Sequence, residues 1–269
     1  MIKESFERKL SKETIASLAK ELLDAETQLK PIKPITERFP EITNADAYAI
    51  QLEIVKAKEH LGQSVVGKKI GLTSKPMRDL AGVYEPDYGH ILDQLMVLED
   101  EEIDLAQLIQ PRFEVEIAFI LKEDLTGPTV NTAQVLKATE GVMAAIEIID
   151  SRIENWKIKI QDTIADNASI GRIILGGKLV PIKDIDLRLI GMVSKKNGEI
   201  VSCSASAAVL GNPAQAVAWL ANKISNYGLS LKPGEIVMSG SFAAAVPVNQ
   251  DDHVTAEFDK LGSVSTRFK

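Results

Sequence analysis

The segment PRFEVEIAFIL (residues 111–121) decides much of the fold. Apolar residues alternate with polar ones in its first half, a pattern that predicts a β-strand with its apolar side chains on one face. Glu114 and Glu116 then share the opposite face, about 7 Å apart along the strand. Two like charges at that spacing repel each other. Either this face of the strand lies in water, or both carboxylates serve a common partner.

A second apolar segment, AAIEIID (residues 144–150), also predicts a strand and places Glu147 among isoleucines. A carboxylate buried there without a partner would be costly or would have to take up a proton. One shared cation would resolve the problem if the two strands are neighbours. Mg²⁺ and Mn²⁺ prefer oxygen ligands, and three carboxylates would leave other coordination positions for water and substrate.

The segment VVGKKIGLTS (residues 65–74) overlaps GQSVVGKK (residues 62–69), which has the spacing of a phosphate-binding loop as far as Lys68, but Lys69 stands where that motif needs Ser or Thr. We therefore predict a strand and no nucleotide site. On that strand Lys69 shares a face with Gly67 and Gly71, whose bare backbone is expected to let a ligand approach. Such a lysine can hold a carboxylate or transfer a proton. The alternative is a surface lysine on an edge strand.

Two polar segments offer further candidates. In YEPDYG (residues 84–89) Pro86 and Gly89 indicate a turn, which is expected to place Asp87 at a loop tip, where aspartate is often only a local hydrogen-bond acceptor. In QDTIADNASIG (residues 161–171), Asn167 and Ser169 could orient a small polar substrate or could satisfy the loop's own backbone. The pattern of residues leaves both alternatives open.

Composition narrows the class of protein. The 269 residues are 45% hydrophobic and carry a formal charge of -7, which offers no general attraction to nucleic acid or to anionic membranes. No apolar stretch is long enough to span a bilayer, and the first residues lack the apolar core of a secretory signal, so a cytoplasmic location is expected. One cysteine and three scattered histidines predict no Cys/His metal site.

The predicted elements divide the chain into a helical N-terminal part, residues 1–64, and a mixed β catalytic domain, residues 65–269. Helical periodicity and end signals predict four helices, at residues 13–23, 45–60, 132–140 and 214–227. Thr43 and Asp46 form a predicted capping box before the second helix, and Gly141 is read as the stop of the third. Prolines make residues 30–41 an irregular connector.

Taken in order, several of these segments resemble the 2-hydroxypenta-2,4-dienoate hydratases of aromatic meta-cleavage pathways, within the fumarylacetoacetate hydrolase superfamily. The similarity runs through GKKIGLTSK, EPDYG, LIQPRFEVEIAFILKEDLTGP, EIIDSRIENWKIKIQDTIADNASIG, AWLAN, LKPGEIVMSGS and GSVSTRF, and so covers nearly the whole chain from about residue 40. The 4-oxalocrotonate decarboxylases and 2-oxohept-4-ene-1,7-dioate hydratases share most of these strings.

This resemblance implies an α+β fold, a mixed β roll with a helical N-terminal part, assembled into homo-oligomers. It also implies a Mg²⁺ or Mn²⁺ cofactor and three groups of site residues. These are the metal ligands Glu114, Glu116 and Glu147, the proton-transfer residues Lys69 and Asp87, and the substrate-binding residues Leu72, Asn167 and Ser169. The expected ligand is a small 2-oxo or 2-hydroxy-dienoate, and a complex with another enzyme of the pathway is a further expectation.

Asp87 favours one activity within this group. Decarboxylases typically read PIYG where this chain has PDYG, and hydration must place and deprotonate a water molecule. We therefore expect a hydratase that converts 2-hydroxypenta-2,4-dienoate to 4-hydroxy-2-oxopentanoate. The alternatives are a 4-oxalocrotonate (2-oxohex-3-enedioate) decarboxylase, a longer-chain hydratase and a non-catalytic binding subunit. The segment SGSFAAAV (residues 239–246) resembles relatives that act on dicarboxylates and so favours a longer substrate.

Overall fold

A computed structural model describes residues 7–74, 78 and 83–269 of the chain. Its helices are α1 (Lys12–Gln28), α2 (Ile35–Arg38), α3 (Asn44–His60), α4 (Thr132–Ala138), α5 (Ile160–Ala165) and α6 (Pro213–Ser225). Its strands are β1 (Val65–Gly71), β2 (Asp87–Leu92), β3 (Met96–Val97), β4 (Glu102–Ile103), β5 (Arg112–Leu121), β6 (Thr139–Ile149), β7 (Ile170–Leu175), β8 (Gly191–Lys196), β9 (Glu199–Ala205), β10 (Ile236–Met238), β11 (Val246–Pro247), β12 (His253–Phe258) and β13 (Gly262–Phe268).

Two mixed sheets form the framework. The larger has the order β2-β1-β10-β5-β6-β7-β3, with β11 added to β5, and the smaller has the order β4-β13-β12-β8-β9. The pairing β1–β10 is parallel, whereas β5 is antiparallel to both β10 and β6. The two longest strands, β5 and β6, therefore lie side by side inside the larger sheet. This confirms the predicted α+β class.

The N-terminal helices contact the large sheet both through α5 and directly, where Tyr48 on α3 stacks on Tyr88 of β2. Ser11 caps α1, and the predicted capping box of α3 is present, since Thr43 Oγ1 accepts from the Asp46 amide while Asp46 accepts from the Thr43 amide. Buried Asp162 on α5 accepts hydrogen bonds from the backbone and the hydroxyl of Thr36. The segment predicted as an irregular connector, residues 30–41, thus contains a short helix, α2. The Asp162 carboxylate caps this helix by accepting from the Thr36 amide.

The third predicted helix is shorter than expected. It ends at Ala138, and Gly141, read from the sequence as its stop, lies inside β6. An alanine Cβ there would lie 2.8 Å from Leu179 Cδ1 and 2.9 Å from the Val180 carbonyl oxygen. The glycine therefore serves close packing of the chain across β6 and does not end the helix.

A single large cluster of buried apolar side chains joins α1 and α3 to β5, β6 and the strands of the smaller sheet. Among the described residues, no helix has the length and apolar character needed to cross a bilayer. The periodicity of β5 explains its place in this core, because Phe113, Val115 and Ile117 are all buried on one face. The other face carries the glutamates.

Candidate active site

The carboxylates of three glutamates converge between β5 and β6. In the antiparallel register Glu114 lies opposite Glu147, and Glu116 lies two residues farther along the same face. One carboxylate oxygen from each residue can be chosen so that the three atoms lie within 4.8 Å of one another. The predicted cation site requires the strands of Glu114 and Glu147 to be neighbours, and β5 and β6 are paired.

These acids do not lie in water. Glu116 and Glu147 are fully buried, and Glu114 is half-buried at the outer side. Glu116 Oε2 accepts a 2.7 Å hydrogen bond from the Gly240 amide, but Glu116 Oε1 and Glu147 Oε2 have no hydrogen-bond partner among the described residues, and Glu147 Oε1 has only the Lys69 ammonium group, 3.2 Å away. Buried carboxylate oxygens are rarely left so. The three residues fit a hard divalent cation, which takes oxygen ligands of this kind.

The electrostatics of the cluster point the same way. Burial, and then the Glu147 charge, raise the pKa of Glu114 to about 7. Burial together with Glu147 and Glu114 raises the pKa of Glu116 well above its usual range. Burial raises the pKa of Glu147 as well, although Lys69 opposes the shift. Without a cation, the cluster must hold protons near neutral pH.

Gly240 is a site residue that the sequence analysis missed. Its φ is +108°, and a Cβ at this position would lie 2.2 Å from Thr73 Oγ1. Only glycine combines that backbone conformation with such a close approach. The resulting turn points the Gly240 amide at Glu116. The only signal in the sequence is the SGS string itself, which does not reveal its distant partner.

Lys69 lies on β1, between β2 and β10, so the alternative of a surface lysine on an edge strand is wrong. Its Nζ is 3.2 Å from Glu147 Oε1 and donates a 2.9 Å hydrogen bond to the Ala168 carbonyl. Burial lowers the pKa of Lys69, but Glu147, Asp87 and the other site glutamates outweigh burial and raise it above its ordinary value. The side chain is an ammonium group that touches the carboxylate cluster.

Of the two glycines beside Lys69, Gly71 lines a cavity that Lys69 also lines, as expected from sequence, whereas Gly67 is not part of that cavity. A Cβ on Gly67 would lie 2.1 Å from the Ile236 carbonyl oxygen, and a Cβ on Gly71 would lie 2.1 Å from Asp87 Oδ1. The space above Gly71 therefore belongs to the Asp87 carboxylate. Gly67 instead lets the parallel strand β10 approach.

Asp87 does not lie at a loop tip, as predicted, but is buried at the first residue of β2, directly opposite Gly71. Its Oδ2 accepts a 3.1 Å hydrogen bond from Thr163 Oγ1, whereas Oδ1 has no partner among the described residues. Burial raises the pKa of Asp87, and Lys69 and the Thr163 hydroxyl oppose that shift. Pro86 lies immediately before β2, and it does not form the exposed turn that the sequence predicted.

A left-handed turn joins α5 to β7. Asn167, Ala168 and Ser169 have φ values of 51°, 53° and 54°, a conformation that costs a residue other than glycine roughly 1–2 kcal/mol. Asp166 holds the turn: it accepts a 3.0 Å hydrogen bond from Ser169 Oγ and forms a buried ion pair with Arg152. Burial raises the pKa of Asp166 to about 6 against the effect of Arg152. The turn presents the Ala168 carbonyl to Lys69.

The three predicted substrate-binding residues have different surroundings. Ser169 and Leu72 line the cavity beside Lys69. The side-chain amide of Asn167 instead accepts from the His90 amide at 2.8 Å and donates to the His90 carbonyl at 2.9 Å. Asn167 therefore ties the left-handed turn to β2, and it does not line that cavity.

The cavity has a volume of about 360 Å³ and two kinds of wall. One wall carries Lys69, Asp87, Glu114 and Ser169. The other is formed largely by apolar groups of β6 and of the segment before and within α5. The cavity lining includes residues that the sequence analysis did not select, namely Arg112, Ile149, Trp156, Ile158, Lys159, Ile160 and Thr163. The arrangement suits a small ligand with an anionic oxygen-rich head and an extended carbon chain.

Comparison with known proteins identifies relatives over most of the chain. Residues 78–269 match the fumarylacetoacetate (FAA) hydrolase C-terminal family. The chain is 46% identical over 222 residues to a 2-hydroxypent-2,4-dienoate hydratase of Pseudomonas putida, a match that covers 82% of this chain and 100% of the relative. It is also 42% identical to the 2-hydroxyhexa-2,4-dienoate hydratase of Comamonas testosteroni, over 96% of this chain and 98% of the relative.

A solved structure is similarly close. It is the 4-oxalocrotonate decarboxylase from Pseudomonas putida G7 in complex with magnesium and adipate. The two structures superpose with a TM-score of 0.95 at 41% sequence identity, and the match covers 98% of this chain and 100% of the other.

Proposed function

We propose that this chain, which belongs to the FAA hydrolase family, is a metal-dependent hydro-lyase. It adds water to 2-hydroxypenta-2,4-dienoate (2-oxopent-4-enoate) to give 4-hydroxy-2-oxopentanoate in the catabolism of aromatic compounds. The observation that carries the proposal is the buried convergence of Glu114, Glu116 and Glu147 beside Lys69. Two of the relatives are named as hydratases of short 2-hydroxydienoates.

Glu114, Glu116 and Glu147 would hold Mg²⁺ or Mn²⁺, in keeping with the magnesium in the related decarboxylase structure. Bound there, the ion supplies Lewis acidity to the carboxylate and C2 oxygen of a 2-oxo acid. The remaining chemistry falls to the protein's own residues. The cavity wall formed by Ile149, Trp156 and neighbouring groups covers the carbon chain and limits the access of water.

Lys69 and Asp87 are proposed to move the protons. The reaction needs loss of the 2-hydroxyl proton and gain of one proton at C5 to form 2-oxopent-3-enoate. One water molecule then adds across the double bond, with its hydroxyl group at C4 and a proton at C3 to replace the proton that the water loses. The raised pKa keeps Lys69 an ammonium group, the form that carries a proton, and a cation held by the neighbouring glutamates would oppose their effect and make that ammonium group a stronger acid. Asp87 Oδ1 has no hydrogen-bond partner among the described residues and can accept a proton from the attacking water. Thr163 fixes the other oxygen of Asp87 and so orients the carboxylate.

Leu72, Asn167 and Ser169 complete the proposed substrate side. Ser169 lines the cavity, but its hydroxyl donates to Asp166, so it retains acceptor capacity for a ligand. Leu72 contributes an apolar contact beside Gly71. Asn167 would act on the substrate only through the turn that it ties to β2.

The direct test mixes purified protein, Mg²⁺ and freshly generated 2-hydroxypenta-2,4-dienoate and identifies the product by NMR. We expect loss of the dienol absorbance and the appearance of 4-hydroxy-2-oxopentanoate, with both abolished by EDTA. If the substrate survives unchanged in the presence of Mg²⁺, the proposed activity is wrong.

A second candidate is decarboxylation of 2-oxohex-3-enedioate, favoured by the high structural similarity to the 4-oxalocrotonate decarboxylase. Asp87 favours hydration, because the activation of water has a clear use for a buried carboxylate and the loss of carbon dioxide does not. The products separate the two reactions: carbon dioxide is released from the dicarboxylate only by a decarboxylase. A longer-chain hydratase would act on the corresponding longer dienoates.

The division into residues 1–64 and a catalytic domain, residues 65–269, stays a prediction, as do the homo-oligomer, the complex with a pathway enzyme and the cytoplasmic location. Light scattering on purified protein tests the homo-oligomer, and a species with the mass of one chain would contradict it.

A further inference from the structure

Two cationic side chains that line the cavity, Arg112 and Lys159, have no role in the chemistry described so far, and Lys159 is exposed. Arg112 is half-buried, lines the cavity and lies on the same face of β5 as Glu114. The two Cα atoms are about 7 Å apart by strand rise. No described residue makes a hydrogen bond or an ion pair with the Arg112 guanidinium group, although that group carries five N–H donors.

The guanidinium group is nevertheless held in place. Its central carbon lies 4.7 Å from the centroid of the Trp156 ring. The indole is itself fixed, because Trp156 Nε1 donates a 3.1 Å hydrogen bond to the Gln110 carbonyl. Asn155 and Trp156 have φ values of 57° and 54°, a conformation that side-chain-bearing residues rarely adopt. The loop thus accepts backbone strain where it carries this stacked pair.

Arg38 shows the ordinary alternative within the same chain. Its guanidinium carbon lies 6.0 Å from the Phe39 ring, on the surface, and its Nη1 donates a 2.9 Å hydrogen bond to Glu21. That arginine is satisfied by a carboxylate of the protein. Arg112 has the aromatic support without a bonded carboxylate, and the apolar side chains of Ile149, Ile158 and Ile160 line the same cavity.

We propose that Arg112, held on Trp156, binds a carboxylate group of the ligand in this cavity. A planar guanidinium group matches the two oxygens of a carboxylate, and the apolar wall strengthens such a pair by excluding water. The carboxylate can come from two places on a 2-oxo acid: the head that lies at the three glutamates, or a second carboxylate at the far end of the chain. Arg112 lies beyond Glu114, on the outer side of the cluster, within reach of either.

This proposal rests on the proposed function only in taking a 2-oxo acid as the ligand, and binding can be measured without turnover. The probes are 2-oxohexanoate and 2-oxohexanedioate, saturated acids of equal length that differ in the terminal carboxylate. Calorimetric titration in the presence of Mg²⁺ gives their affinities for the wild type, Arg112→Met and Arg112→Lys. The control is Arg38→Met, which removes the same charge from the surface.

We expect Arg112→Met to weaken binding about 10- to 100-fold, as for the loss of a hydrogen-bonded charge pair, and Arg112→Lys to weaken it less, since lysine keeps the charge but loses the planar fork. Weakening of the dicarboxylate alone assigns the far carboxylate, and equal weakening of both probes assigns the head. Arg38→Met should bind as the wild type does. The proposal is overturned if Arg112→Met binds both probes like the wild type; if the wild type binds neither, the 2-oxo-acid site itself is wrong.

Discussion

Replacing Gly71 with alanine should displace the Asp87 carboxylate while leaving the glutamate cluster intact. The new Cβ would lie 2.1 Å from Asp87 Oδ1, whereas Cβ atoms essentially never come within 3.0 Å of another heavy atom. The carboxylate must therefore recede by about 1 Å, a displacement that can cost about 100-fold in rate when it affects a catalytic group. Asp87 has little room to adjust, because it is buried and its other oxygen is bonded to Thr163. Crowding of this kind also costs about 1–3 kcal/mol of stability.

The assay compares kcat for hydration, Mg²⁺ affinity and the urea midpoint of the wild type, Gly71→Ala and Gly191→Ala. Gly191 is a matched control, since it also lies in a strand and a Cβ there meets nothing within 4 Å. We expect kcat to fall about 100-fold in Gly71→Ala alone, with Mg²⁺ affinity unchanged because the carboxylates of β5 and β6 are untouched. A Gly71→Ala enzyme that is folded and as fast as the wild type would refute the role given to Asp87.

Two further predictions concern stability, and both are measured by urea denaturation. Burial and Glu147 raise the pKa of Glu114 to about 7, so the folded metal-free protein keeps a proton that the unfolded chain has lost above its ordinary pKa. The free energy of unfolding of EDTA-treated protein should therefore fall as the pH rises from about 5 to about 8. Mg²⁺ should restore this free energy most at the higher pH. A free energy of unfolding that rises with pH over that range would contradict the prediction. Asp166→Asn leaves Arg152 as an unpaired buried charge and should lower the free energy of unfolding by about 3–5 kcal/mol. A decrease of less than about 1 kcal/mol would show that the ion pair does not hold the left-handed turn.

The parts of the site that depend on local periodicity could be predicted from the sequence. The alternation within residues 111–121 predicted β5, which spans Arg112–Leu121, and it placed Glu114 and Glu116 on one face. The apolar neighbours of Glu147 predicted its burial. The pairing of β5 with β6 did not follow from either pattern, because it is a contact between separate segments.

Features that depend on distant partners were missed or misread. Asp87 was assigned to a loop tip because Pro86 and Gly89 are common in turns, but the space for its carboxylate comes from Gly71 on another strand. The left-handed turn at residues 167–169 opposes local preference. It is held by Asp166 and Arg152, a long-range pair that no local pattern reveals. The contact of Arg112 with Trp156 is equally non-local.

The central claim is that three glutamates from neighbouring strands hold one divalent cation. The most direct measurement follows the free Mn²⁺ signal by electron paramagnetic resonance while Mn²⁺ is titrated into the wild type and into Glu147→Gln, with Mg²⁺ as competitor. We predict one competed site per chain in the wild type and an affinity at least about 100-fold lower in the variant, since loss of even an outer partner of a metal ligand costs about 10- to 100-fold. A wild type that binds no Mn²⁺, or a variant that binds it equally well, would contradict the claim.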